Sequence, residues 1–221
     1  MLLPKIKTDI GTICPELRLG CISSRVVVEA GSAELWCYIE SVIQAEREGL
    51  STSEIGQIPT IRSTRAAYKA LGKEPSRYRP SAEALLRKIA QGKDLYQVNN
   101  VVDLLNLTSI RTGFSICGYD QDAIEGAYEL GIGEVDEPYQ AIGRGTLNIA
   151  YLPCFRDQVG AFGTPTSDSV RTSVRPHTKR FLMILLSFAA GEALEAAMND
   201  AISLLQKYAS ATEIESQVLA S

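Results

Sequence analysis

The stretch Val98–Asp120, V-N-N-V-V-D-L-L-N-L-T-S-I-R-T-G-F-S-I-C-G-Y-D, holds the change of pattern that divides the chain. From Asn99 to Ser109, Val101, Val102, Leu104, Leu105 and Thr108 recur at helical spacing. Beyond Arg111 the pattern turns to short β-like pieces separated by glycine, and Phe114–Tyr119 reads as the first of them. Upstream, a short strand over Val26–Val28 precedes a helix from about Ser32 to Arg47, with Leu35, Tyr38, Ile39, Val42 and Ile43 on one stripe. A second helix is predicted over Ile61–Leu71, stopped by Gly72. Pro80 and Ser81 mark the start of a third over Ala82–Ala90. Downstream, Gly145–Tyr151, Gln158–Phe162 and Phe181–Phe188 read as strands. A closing helix from about Glu192 to Tyr208 carries Leu194, Ala197, Ala201, Leu204 and Leu205 on one side. Helices gathered in the first half, strands in the second and a final helix predict an α+β fold and not a doubly wound sheet.

With 221 residues, 45% of them hydrophobic and 22% charged, the chain is expected to fold as one domain, residues 1–221, around a sizeable core. Its five cysteines are widely spaced and contain no C-x-x-C pair, which predicts a reducing compartment and no zinc site. Lys5, Lys7 and Asp9 interrupt the N-terminus where a signal peptide would be apolar, and the longest apolar run, Phe181–Ala190, is too short to span a bilayer. A soluble, cytoplasmic protein with no membrane partner is expected. The net charge of −4 and a pI near 5.2 argue against a protein that coats nucleic acid indiscriminately, and no DNA partner is expected. Charge is nonetheless uneven. Arg62, Arg65, Lys69, Lys73, Arg77, Arg79, Arg87, Lys88 and Lys93 face only Glu74 and Glu83 within one segment, which is either a phosphate-binding block or a solvated helix face.

The motifs that could carry chemistry are sparse. Gly131-Ile132-Gly133 and Gly143-Arg144-Gly145 lack the spacing with which a loop wraps a phosphate, and both are expected as turns. His177 is the only histidine and lies in a basic, polar loop, so it reads as solvated, and no histidine cluster can bind metal. Cys117, at a strand end beside Gly118, Tyr119 and Asp120, either lines a pocket or is a buried, inert thiol. The segment Gly163–Thr172, G-T-P-T-S-D-S-V-R-T, gathers small hydroxyls with Asp168 and Arg171. It either forms a structural loop with an Asp–Arg pair or offers donors to a ligand carbonyl and ribose.

Three blocks resemble the editing domain, called B3/B4, of the phenylalanyl-tRNA synthetase beta subunit. They are Arg65–Lys88, Val98–Asp120, and S-D-S-V-R-T with the T-K-R-F-L-M-I-L-L that follows; in that order they cover about residues 30 to 210. The resemblance implies a compact three-layer β/β/α arrangement and a tRNA or aminoacyl-tRNA partner, with no cofactor and no metal. In the synthetase the domain hydrolyses the ester of tRNA for phenylalanine wrongly charged with tyrosine. By resemblance Asn106 falls on the asparagine that lines the editing pocket, and Cys117 falls where the bacterial domain has a histidine. The glutamate that recognises the tyrosine hydroxyl has its place in the apolar run Phe181–Leu186. The chain lacks room for an aminoacylation core, so the resemblance implies a free-standing deacylase acting in trans. A non-catalytic RNA-binding module and a pocket protein for a free amino acid are the alternatives. On the first reading Asn106, Cys117, Gly118 and Tyr119 shape the pocket, and Ser169, Arg171 and Thr172 orient the ester or ribose. Arg65, Lys69, Arg77 and Arg79 hold phosphates. The catalytic group, the oligomeric state and the amino acid specificity stay open.

Overall fold

The structure is a computed structural model that describes residues 1–191 and 193–221. Its element order is β1 (Lys5–Ile6), α1 (Thr8–Ile13), β2 (Arg18–Arg25), α2 (Ala33–Gly49), α3 (Pro59–Ala70), α4 (Ser81–Ala90), α5 (Asn100–Thr112), β3 (Ser115–Asp120), β4 (Glu129–Ile132), β5 (Gln140–Ala141), β6 (Gly145–Thr146), β7 (Pro153–Arg156), β8 (Ala161–Gly163), β9 (Arg180–Ser187), α6 (Leu194–Ala209) and β10 (Thr212–Ala220). One sheet runs β10-β2-β9-β3 and a second β1-β4-β7-β8.

The layering follows from β9. Side chains of a strand alternate between faces, and R-F-L-M-I-L-L-S supplies an apolar residue to both. Phe181, Met183 and Leu185 enter a core shared with Leu35 and Ile39 of α2, Leu86 of α4, Leu104 of α5 and Leu205 of α6. Leu182, Ile184 and Leu186 enter a second core with Leu130, Phe155 and Phe162 of the other sheet. Sheet, sheet and helices therefore stack as the expected three-layer β/β/α arrangement, with β9 buried on both faces. Each such side chain contributes roughly 1.5–3 kcal/mol on burial.

The helices begin and end where local chemistry dictates. Ser32 caps α2 by accepting from Leu35 N, and Asn99 caps α5 by accepting from Val102 N. Gly113, at φ +71°, ends α5 in the left-handed region that favours glycine. Asn100 then ties α5 down: its carbonyl oxygen accepts from Glu29 N, and its amide donates to Val27 O and Tyr208 O.

Several expectations shift. Val26–Val28 lies just past a strand that occupies Arg18–Arg25, and only Gly145–Thr146 of the expected Gly145–Tyr151 strand is β. Gly131 and Ile132 belong to β4 and not to a turn, whereas Gly143 and Gly145 do turn the chain at positive φ between β5 and β6. The closing helix expected from about Glu192 to Tyr208 forms over Leu194–Ala209, and residue 192 lies outside the described residues. No described helix is long and apolar enough to cross a membrane.

Candidate functional site

β3 is an edge strand of its sheet, and the chain after β8 runs along its open side. Gly118 N donates to Asp168 Oδ2 at 2.9 Å, and Asp120 N donates to Thr172 O at 2.9 Å. An edge covered in this way cannot recruit another strand. It also fixes Thr164–Val174 opposite α4 and α5, and a cleft of about 630 Å³ opens between them. The loop itself is well held. Thr164 Oγ1 accepts from the N–H groups of Thr166 and Ser167, Tyr68 Oη meets Thr166 Oγ1 at 2.9 Å, and Tyr139 Oη donates to Ser167 O.

Asn106 of α5 and Gly118 of β3 both line this cleft, together with Thr164, Thr166, Ser167 and Asp168. Asn106 is half-buried, and its amide has no hydrogen-bond partner among the described residues. The floor is apolar, made by Leu85, Val102, Leu105, Ile116 and Val174. Glycine at 118 lets Leu105 and Phe181 pack close: a Cβ would lie 2.3 Å from Leu105 Cδ1 and 3.2 Å from the Phe181 ring, so that Leu105 would have to move. At the mouth stand Lys88 of α4 and Arg144 of the β5–β6 turn, neither with a carboxylate partner among the described residues. Asp168 is the one acid of the lining. Burial pushes its carboxyl up to about 7, against the N–H of Gly118 and the Tyr119 hydroxyl and Cys117 thiol that lie behind it.

Cys117 and Tyr119 do not line the cleft. Both are fully buried between the two sheets, on the face of β3 opposite to Gly118. Three consecutive strand residues cannot share a face, which is the physical reason for this correction. Tyr119 packs edge-on against Phe162 at 4.9 Å, and burial pushes the Cys117 thiol well above its ordinary value, so it is the inert thiol of the two alternatives.

Ser169, Arg171 and Thr172 likewise turn away from the cleft. Ser169 Oγ accepts from Arg171 N, and Thr172, fully buried, donates to Phe162 O. The Arg171 guanidinium grips the Asp157 carboxylate at 2.8 and 3.0 Å, so its partner is Asp157 and not Asp168. Although burial opposes a charge on Asp157, Arg171 and the N–H groups of Glu125 and Val159 hold its carboxyl below the usual range.

The basic block divides as well. Arg65, Arg79 and Arg87 converge on the fully buried Glu83 of α4; one guanidinium nitrogen of Arg65 donates to both carboxylate oxygens, at 2.8 and 3.0 Å, and Arg87 Nε lies at 2.8 Å. Lys73 is buried, donating to Asn148 O and Ala150 O over the Tyr78 ring, and burial with Arg77 nearby lowers it to about 8. Lys69 and Arg77 remain exposed. Arg65 and Arg79 therefore serve the fold first, because a carboxylate inside a protein needs its counter-charges.

Ser81, Tyr96 and Arg144 at the cleft were not among the expected site residues, and Lys88 was expected only as one member of the basic block. Tyr96 carried a signal, a lone aromatic residue in the polar stretch Q-G-K-D-L-Y-Q. His177 is exposed in its loop, as read. Among the described residues no cluster of three or more His, Cys, Asp or Glu could hold a metal ion. A larger groove of about 940 Å³, between α3 and Phe188–Gly191, contains none of the predicted site residues.

Comparison with known proteins gives two findings. The description of the B3/4 domain family matches residues 63–210. The fold is similar to the crystal structure of an N-terminal fragment of the phenylalanyl-tRNA synthetase beta-subunit from Pyrococcus horikoshii, at 10% identity and a TM-score of 0.46, covering 100% of this chain and 57% of that one. The chain thus spans a little over half the length of that fragment. No curated protein matches it in sequence.

Proposed function

The chain belongs to the B3/4 domain family, and from that premise we propose that its cleft receives the aminoacylated end of a tRNA and hydrolyses the ester in trans. The observation that carries this reading is the unpartnered Asn106 amide, set in an apolar cleft whose mouth carries Lys88 and Arg144. The amide faces the open cleft with no partner among the described residues, so its donor and its acceptor are both available to a ligand. Two cations at the entrance favour a ligand with phosphates, and the apolar floor favours an uncharged amino acid side chain.

An aminoacyl ester is already activated, so the chemistry asks little of the protein. The Asn106 amide N–H donates to the carbonyl oxygen as it takes on negative charge, and a water attacks the carbonyl carbon from the open side of the cleft. The ester C–O bond breaks, and the proton lost by the attacking water passes to the leaving ribose oxygen, directly or relayed through the neighbouring hydroxyl. Holding ester and water together replaces a bimolecular encounter and removes the need for a protein nucleophile. Asp168, at the wall, gains or loses its proton near pH 7, within the range where such a reaction would run.

The test is a panel of tRNAs charged with cognate and noncognate amino acids, followed for ester loss with wild-type protein and with Asn106→Ala. Wild type should accelerate hydrolysis for some pairs, and Asn106→Ala should lose on the order of 100-fold of that acceleration, as expected for an oxyanion donor. No acceleration for any pair defeats the catalytic reading. Salt-dependent binding of tRNA without turnover would leave an RNA-binding module. Thermal stabilisation by free amino acids but not by tRNA would leave a metabolite pocket.

A further inference from the structure

Among the described residues, ten large apolar side chains stand exposed on the surface, and four of them, Tyr96, Val98, Ile142 and Val170, ring the mouth of this one cleft. Single apolar residues on a surface are ordinary, whereas four at the lip of a concave site mark a place where something docks. Tyr96 is the most exposed of the ten, at 81%. Its segment is nevertheless fixed on both sides. Leu95 packs against the helical core, Arg47 donates to Asp94 Oδ1 at 2.8 Å, and Val98 N donates to Asp103 Oδ1 at 3.0 Å. Lys88 Nζ lies 3.8 Å from the Tyr96 ring centroid.

We infer that Tyr96 is a stacking platform for the base beside the esterified ribose, with Lys88 and Arg144 taking the flanking phosphates; the inference rests on the RNA reading above and names where the last nucleotide sits. With Lys88 over one face of the ring, the other face is left for a base, and every base offers a flat face to stack. The charges at the lip select a nucleic acid over an apolar peptide. Lys88 and Arg144 have no acidic partner among the described residues, and the one acid of the lining, Asp168, turns Oδ2 to Gly118 N. A phosphodiester supplies the anions that this lip lacks.

The experiment measures dissociation constants by fluorescence anisotropy at one fixed ionic strength. The ligands are an uncharged tRNA transcript and the same transcript without its 3′-terminal nucleotide, each against wild type, Tyr96→Ala and Tyr96→Phe. Wild type should bind the complete transcript more tightly than the shortened one. Tyr96→Ala should weaken the complete transcript on the order of 10-fold and abolish the difference between the two, while Tyr96→Phe, which keeps the ring, should behave as wild type. The side chain is exposed, so neither substitution should move the thermal midpoint by more than a degree or two. If wild type binds tRNA and Tyr96→Ala binds it equally well, the platform is refuted and the RNA reading stands. If wild type binds neither transcript at low salt, the RNA reading falls and the platform falls with it.

Discussion

Asp168→Asn is the substitution with the most to say about the cleft wall. In the folded chain burial raises the Asp168 carboxyl from 3.8 to about 7. A folded-state value above the unfolded one means that, between about pH 4 and pH 7, the folded state holds a proton that the unfolded state has released. Stability contributed by the neutral carboxyl is therefore complete below the unfolded value and declines as pH rises through that window, levelling off above 7. At about 1.4 kcal/mol per unit, the whole difference is of order 4 kcal/mol, an upper figure because the wall can relax and admit water. Asparagine keeps the shape and an oxygen for Gly118 N to donate to, at 2.9 Å in the native chain, but it does not ionise. Urea unfolding of both proteins at pH 5, 6, 7 and 8 should show the variant gaining on wild type by 1 kcal/mol or more for each unit up to pH 7 and no further above it. Asp103, which burial raises to about 6, is present in both proteins and cancels in the difference. Parallel stability profiles for the two proteins would refute the placement of an ionisable oxygen in a dry wall.

The ion pairs give two further outcomes. Glu83→Gln leaves Arg65 and Arg87 facing a neutral amide inside α4's buried side, and unfolding in urea should show a loss of about 2–3 kcal/mol, below the full cost of breaking a buried pair because both arginines reach solvent; an unchanged midpoint would mean that the cluster is idle. Arg171→Met leaves the Asp157 carboxylate buried without its guanidinium, so stability should fall by roughly 3 kcal/mol while tRNA affinity per folded molecule stays constant. Weaker binding by the folded Arg171 variant would put that side chain back in the cleft.

The legible parts of the sequence were those where one local rule decides the outcome. Ser32 and Asn99 cap helices, Gly72 and Gly113 end them, and the uninterrupted apolar run of β9 signals a strand buried on both faces. The expected β/β/α layering came from the family resemblance and holds in the structure. What escaped were elements whose conformation is imposed from outside. β2, R-L-G-C-I-S-S-R, has glycine and serines in place of β-branched residues, and it is extended because β9 and β10 pair with it on either side. Its Gly20 leaves room for Met198 of α6, whose Sδ lies 2.6 Å from where a Cβ would be. β10, T-E-I-E-S-Q-V-L-A, is largely solvent-facing, and its few apolar residues, Ile214, Val218 and Leu219, do not alternate as a strand's would. Asn106 was expected at a pocket by resemblance and Gly118 as the neighbour of Cys117, and both line the cleft. Lys88 and Arg144 were not expected there, since nothing local brings residues 56 positions apart to one mouth.

The same contrast explains how the basic block was misleading as a group. Charge density along a sequence counts cations without regard to what they face, and on α4 the spacing that places Arg87 four residues after Glu83 also directs its guanidinium onto that carboxylate. Arg65 arrives at the same carboxylate from α3, so the densest part of the block is drawn onto one internal acid and is not splayed toward a ligand. At the cleft, the cations that remain for a ligand are Lys88 and Arg144, which have no carboxylate partner among the described residues. Lys88, one residue after Arg87, points away from Glu83 and toward Tyr96, and Arg144 sits in a two-strand turn with glycine on both sides. A net charge of −4 is therefore compatible with a phosphate-facing mouth, because the acids that set the total lie elsewhere or are already paired. The reach of the field at that mouth is about 8–10 Å at ordinary ionic strength, enough to orient the end of a nucleic acid at this cleft while the rest of the surface repels its body.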